Sequence, residues 1–150
     1  MGIRSFFSKP LASYVISAQK KWASQPFKTQ ERVFRQLIDG GKNTKFGKEH
    51  GFDLIKNYDD FRKNVPVREY EQIRPYIERI IGGERDVLWK GLPIYFAKTS
   101  GTTSGVKYIP ITRDSIPNHI NGARDAILSY IHETGRAGFI DGKLIFLSGS

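Results

Sequence analysis

At 150 residues, 39% hydrophobic and 26% charged, the chain is long enough for one ordinary core and too short for a two-domain enzyme. The absence of cysteine excludes disulfide frameworks, thiolate zinc and iron-sulfur sites and thiol nucleophiles, which makes a reducing cytoplasm the expected location. The net charge of +9 raises a polyanion partner as a possibility, whereas a membrane span is excluded because Lys, Arg, Gln or Gly interrupts every apolar run well short of roughly 18 residues.

Leu11, Tyr14, Val15, Ala18 and Trp22 recur at helical spacing with Lys20 and Lys21 outside the stripe, which predicts an amphipathic helix from Pro10 to about Ala23. Met1 to Ala12 lacks the apolar stretch of a secretory signal. Pro26 opens a second predicted helix, with Val33, Phe34, Leu37 and Ile38 on one face and Gly40-Gly41 as its stop. Most of the charge excess sits here: residues 1–50 carry 10 basic and 3 acidic side chains, residues 51–100 carry 9 and 8, and residues 101–150 carry 5 and 4. One reading of this third is a non-catalytic basic helical module that binds nucleic acid or an acidic membrane surface. The cations are spread along helical patterns rather than clustered, as on a solvated helix face, so no nucleic acid is expected as a partner.

Gly47 and Gly51 predict a loop between Asn43 and Asn57, followed by a short helix capped by Asn57 with Tyr58 and Phe61 buried. Val65-Pro66-Val67 reads as an extended link, since proline pushes its predecessor out of helical geometry. From Tyr70 the positions Ile73, Ile77, Ile80 and Ile81 fit a further helix that Pro75 either begins or kinks and Gly82-Gly83 ends. Ile94-Tyr95-Phe96-Ala97 and Tyr108-Ile109-Pro110-Ile111 are β-favouring runs on either side of a polar loop. Thr112 is a good N-cap, with Ile111 and Ile116 as a hydrophobic staple, for a long helix buried through Ile116, Ile120, Ala123, Ile127 and Tyr130 or Ile131. Leu144-Ile145-Phe146-Leu147 has the length and continuity of a strand covered on both faces. The fold class is therefore mixed α/β: N-terminal helices, a β-hairpin, a long helix and a buried strand.

The loop Thr99-Ser100-Gly101-Thr102-Thr103-Ser104-Gly105-Val106-Lys107 is hard to explain as scaffold. Glycines let backbone N–H groups approach an anion, hydroxyls donate to phosphate oxygens or face a bound Mg²⁺, and lysine adds a positive charge. The segment is neither a G-x-x-x-x-G-K-[ST] loop nor a GxGxxG turn. Composition alone leaves a phosphate loop and a surface hairpin both open.

This loop resembles the phosphate-binding motif T-S-G-T-T-G-x-P-K of the adenylate-forming superfamily, with Ser104 in place of the glycine and Val106 in place of the proline. With Lys107-Tyr108-Ile109-Pro110, Phe61-Arg62-Lys63-Asn64-Val65-Pro66-Val67, Tyr70-Glu71-Gln72-Ile73-Arg74-Pro75-Tyr76-Ile77-Glu78-Arg79 and Lys143-Leu144-Ile145-Phe146-Leu147-Ser148-Gly149-Ser150, it is similar to the auxin-responsive promoter family (Gretchen Hagen family) of acyl acid amido synthetases. The resemblance runs from about residue 26 to the end. It implies the N-terminal part of an adenylate-forming domain, arranged as residues 1–25 (amphipathic helix), 26–91 (helical segment) and 92–150 (phosphate-loop hairpin, helix and strand).

The implied chemistry has two steps. A small carboxylic acid attacks the α-phosphorus of ATP, carried with Mg²⁺, and an amino acid then captures the acyl adenylate as an amide. By position, Ser100, Gly101, Thr102 and Thr103 hold the β and γ phosphates while charge builds on the leaving group, and Lys107 screens it. Thr99 and Ser104 shape the turn. Members of this family are several times longer, so the resemblance also implies a fragment that is catalytically silent on its own.

Other candidates are structural. His50, His119 and His132 are far apart, the last two thirteen residues apart on one predicted helix, too distant to share a metal. Asp59-Asp60 and Glu69/Glu71 lie near helix starts, where acids complement the dipole. Tyr95 and Phe96 suit a strand core, and no serine sits in a hydrolase elbow.

Overall fold

The computed structural model describes residues 2–99 and 105–143. It is mostly helical with one two-stranded antiparallel sheet, and it divides into two units: the chain's two ends, bounded by Thr29 and Pro117, form one, and Gln30–Ile116 form the other. The predicted strand at 144–147 lies outside the described residues.

In the first unit, helix α1 spans Ile3–Ala23, so it begins well before Pro10, which sits inside it. The early start has a tertiary cause. The first N–H groups of a helix have no partner within it, and the Asp141 carboxylate, 139 residues away from Gly2, accepts from the Gly2 N–H at 2.8 Å and the Ser5 N–H at 3.4 Å. The Ser5 hydroxyl is shared between that carboxylate and the Ala137 carbonyl oxygen, 2.9 Å away. The buried face of α1 is Ser5, Ser8, Ala12, Val15 and Ile16, whereas Leu11, Tyr14 and Trp22 of the predicted stripe are exposed, Tyr14 by 73%. Small side chains win because they let the helix backbone approach the segment around Ala137.

Helix α6, Ile116–Thr134, begins after a turn in which the Ser115 N–H donates to Thr112 Oγ1 (3.2 Å) and the Thr112 N–H to Ser115 Oγ (3.0 Å), so Thr112 caps the turn that leads into the helix, four residues ahead of Ile116. Its buried residues are Leu128 and Ile131, which pack with Ala12, Val15 and Ala137. Ile120 and Ile127 are exposed, against the sequence expectation, and of the alternatives Tyr130 and Ile131 it is Ile131 that is buried. Only the part of the helix that meets Ala12 and Val15 of α1 and Ala137 is covered, which leaves its N-terminal apolar positions outside the core.

Helix α2, Pro26–Gly41, has the predicted limits, yet only Ile38 and Gly41 are buried and Val33 and Leu37 are exposed. Phe34 instead meets Phe61 edge-on at 5.8 Å. The expected loop before Asn57 contains a short helix α3, Lys45–Glu49, and a 3₁₀ turn, Phe52–Leu54. Thr44 Oγ1 accepts from the Gly47 N–H at 2.9 Å, and the Lys45 and Phe46 N–H groups donate to the Asp86 and Val87 carbonyls at 2.7 and 3.0 Å. A five-residue helix has no apolar period to detect, and its unpaired donors are satisfied by a distant strand of chain.

Asn57 caps helix α4, Tyr58–Asn64, accepting from the Asp60 N–H at 2.9 Å, but Tyr58 is exposed rather than buried. Helix α5, Tyr70–Ile81, starts ahead of Pro75, with the Glu69 N–H donating to Gln72 Oε1 at 2.9 Å. Ile77, Ile80 and Val87 form the core of this unit, with Ile73, Tyr76, Leu88, Phe96 and Tyr108 packed against them, while Ile81 is exposed. The Arg79 guanidinium grips Glu84 through two bonds of 2.7 and 2.9 Å just beyond the helix and holds its carboxyl below the usual range. His50 stacks 4.0 Å from the Phe46 ring, with Nδ1 2.8 Å from the Phe46 carbonyl.

Strands β1 (Tyr95–Lys98) and β2 (Tyr108–Ile111) form the predicted hairpin in the register Tyr95 with Ile111 to Lys98 with Tyr108. Phe96 and Tyr108 seat the hairpin on the α5 core. Tyr95, expected in the core, is 53% exposed, because alternate residues of the strand face outward.

Candidate functional site

The polar segment 99–107 joins β1 to β2, and its two ends are fastened to one another. The Thr99 N–H donates to the Lys107 carbonyl at 3.1 Å, and the Lys107 N–H donates to Thr99 Oγ1 at 3.3 Å. This adds one rung beyond the Lys98 and Tyr108 pair, so Thr99 shapes the turn with both main chain and hydroxyl. Of the residues named above, Ser100, Gly101, Thr102, Thr103 and Ser104 lie outside the described residues. Gly105 has φ +76 with open space where a Cβ would stand, so it supplies the left-handed backbone and not a close approach.

Lys107 is half-buried at the point where the loop re-enters the sheet, with Nζ 5.5 Å from the centre of the Tyr70 ring. Lys98 places its ammonium 5.9 Å from the Tyr108 ring. Neither lysine has an ion-pair partner among the described residues, whereas Arg74, 5.8 Å from the same Tyr70 ring, is paired with Glu71 at 3.1 Å. Two ammonium groups therefore stand where the two strands meet the hydroxyl-rich loop, each resting on an aromatic face.

The hairpin is anchored from below and from the side. Ile94 extends the ladder by donating to the Ile111 carbonyl at 2.8 Å. Asp114 accepts from the Lys90 ammonium at 2.9 Å and the Trp89 indole at 3.0 Å; these two partners, Lys90 first, hold its carboxyl below the usual range. On the side, the Tyr70 hydroxyl accepts from the Tyr108 N–H at 2.8 Å and lies 3.5 Å from the Tyr108 carbonyl oxygen. The sequence gives no hint of that bond. Tyr70 stands in helical phase with Ile73 and Ile77 and reads as one more core position.

Comparison with known proteins bears on this hairpin directly. Residues 15–147 match the GH3 family N-terminal domain. The chain belongs to the GH3 family.

Two curated relatives show the extent of the GH3 likeness. Indole-3-acetic acid-amido synthetase GH3.15 of Arabidopsis thaliana is 44% identical over 79 residues, which cover 51% of this chain and 13% of the relative. Probable indole-3-acetic acid-amido synthetase GH3.2 of Oryza sativa subsp. japonica is 34% identical over 89 residues, covering 58% of this chain and 14% of the relative. A solved GH3.15 acyl acid amido synthetase superposes with a TM-score of 0.68 at 25% identity, over 75% of this chain and 20% of the solved one. The chain thus spans about one-seventh of the length of these curated relatives. The GH3 match includes both strands and the segment between them.

The described groups of this GH3 hairpin suit an anion. The Lys98 and Lys107 ammonium groups are its donors, the amides of the clasp being taken up within the protein, and among the described residues no group of three or more His, Asp or Glu is arranged to hold a metal ion. Nor is any described helix long and apolar enough to cross a membrane.

Proposed function

We propose that the hairpin of this GH3 chain grips the β and γ phosphates of Mg·ATP in an acyl acid amido synthetase. The observation that supports this reading is the fastened hairpin mouth, with Thr99 and Lys107 closing a glycine and hydroxyl loop and with the Lys98 and Lys107 ammonium groups lacking an ion-pair partner among the described residues. Ser100, Gly101, Thr102 and Thr103 donate to the phosphate oxygens, and Lys107 neutralises the charge that accumulates on pyrophosphate as it departs. Mg²⁺ arrives with the nucleotide and offsets phosphate charge.

In the reaction, a carboxylate oxygen of a small organic acid bonds to the α-phosphorus and pyrophosphate leaves. The amine of an amino acid then attacks the acyl carbon, AMP leaves, and the amine proton is lost to solvent or a base. The hairpin acts in the first step only, by making the leaving group more stable. The 150 residues alone are proposed to be inactive, because the chain covers only a fifth of the solved neighbour and the acid and amine pockets need more protein than this.

The test is ATP–pyrophosphate exchange in the full-length protein across a panel of carboxylic acids. Exchange is expected with at least one acid, and Ser100→Ala with Thr102→Ala lowers it by about a hundredfold or more, the scale of losing charge-stabilising donors. Full-length protein that exchanges label with no acid disproves the assignment.

A further inference from the structure

A two-stranded ribbon leaves alternate backbone N–H groups facing away from the partner strand, where they need another acceptor. In this hairpin Thr99 bonds across to Lys107, so the next residue, Tyr108, directs its N–H outward. The acceptor it meets is the Tyr70 hydroxyl at 2.8 Å, delivered by the first turn of α5 from 38 residues upstream. The same ring carries the Lys107 ammonium at 5.5 Å. One side chain thus touches both the peptide where the loop ends and the cation that closes it.

We propose that Tyr70 is a positioning residue for the phosphate loop: its hydroxyl fixes the Tyr108 peptide, and its ring holds the Lys107 ammonium where the loop re-enters the sheet. This rests on the ligase reading above and extends it to a residue outside the motif. Tyr70 does not contact the nucleotide. It limits where Lys107 can be when phosphate arrives, so that little ordering remains to be done on binding.

The experiment separates this role from simple stabilisation. In the full-length enzyme, Tyr70→Phe keeps the ring and loses the hydroxyl, and Tyr70→Leu loses both. Tyr70→Phe is expected to raise KM for Mg·ATP roughly fivefold, the scale of one hydrogen bond, and Tyr70→Leu by roughly a further threefold for the ring. KM for the carboxylic acid stays at the wild-type value in both. In a Lys107→Ala background, Tyr70→Leu costs no more than Tyr70→Phe does, because the ring has no ammonium left to hold.

Partial unfolding would instead lower kcat by reducing the active fraction, with KM unchanged; that pattern, or equal rises in KM for both substrates, overturns the proposal. Full additivity of Tyr70→Leu with Lys107→Ala overturns the part assigned to the ring. Should Tyr70→Leu not fold, Tyr70→Phe carries the test through hydrogen exchange at the Tyr108 amide, expected to quicken roughly fivefold; unchanged protection overturns the clamp. A wild-type enzyme that performs no exchange removes the ligase reading and this inference together, whereas an active wild type with insensitive Tyr70 variants removes this inference alone.

Discussion

The α1 and α6 contact of the first unit and the α5 and hairpin contact of the second are built from different materials. In the first, Ala12 and Val15 pack with Leu128, Ile131 and Ala137, the Ser5 hydroxyl bonds the Ala137 carbonyl, and a carboxylate from the far end of the described chain caps α1. In the second, Ile77, Ile80 and Val87 fill the space with Phe96 and Tyr108, and side-chain groups such as the Tyr70 hydroxyl and the Asp114 carboxylate then hold points of the hairpin or its base. Close approach through small residues positions a whole helix. Bulky packing combined with discrete polar clamps positions one end of one loop, which is the finer control that the phosphate grip proposed above would require.

That contrast can be broken at several points. The largest effect is expected from cavities: Ile77→Ala in the second unit and Ile131→Ala in the first should each cost about 3 kcal/mol, as buried isoleucine truncations do. Denaturant unfolding checks both, followed at Trp89 for the second unit and Trp22 for the first in single-tryptophan variants. Next comes Gly47→Ala. A Cβ there would lie 2.1 Å from the Gly41 carbonyl oxygen, a backbone atom that cannot swing aside, so a loss of about 2 kcal/mol is expected in the same unfolding measurement.

The smallest effect concerns Asp141, and it sharpens the comparison through pH. The Ser5 hydroxyl, followed by the Gly2 and Ser5 amides, holds the Asp141 carboxyl below its ordinary value against the opposing cost of partial burial. Because the folded value lies below the unfolded one, the stabilisation is complete above the ordinary carboxylate range and is lost as pH falls through the folded value. Asp141→Asn should therefore lower Tm modestly at neutral pH, and the difference from wild type should shrink in acid. Thermal melts at the two pH values read this out; a gap that stays constant with pH would exclude a charged cap.

What could be read from the chain beforehand was local. Pro26 and Gly40-Gly41 mark the ends of α2, Asn57 caps α4, and the β-favouring runs beside the polar loop form a hairpin. Each of these depends on dihedral preferences or on hydrogen bonds within four residues. The phase of the buried face was legible in α5, where Ile77 and Ile80 are core as their spacing predicts, but not in α1 or along most of α6. Leu11, Tyr14 and Ile120 look like core by hydrophobicity, yet Ser5, Ala12 and Leu128 are the buried positions, because a surface becomes interior only when a complementary neighbour covers it. Helix α3 was invisible for a related reason, its first donors being satisfied by Asp86 and Val87.

By itself the sequence determined the limits of α2, the starts of α4 and α5 and the two hairpin strands, the absence of thiol chemistry, and the motif between the two strands that carries the family likeness. Tertiary structure alone decided that Asp141 caps α1 and that Tyr70 meets both Tyr108 and Lys107. Local signals are written in neighbouring residues because backbone torsions and short-range hydrogen bonds are set there. Contacts spanning 38 or 139 positions come into being only when packing brings the two stretches within reach.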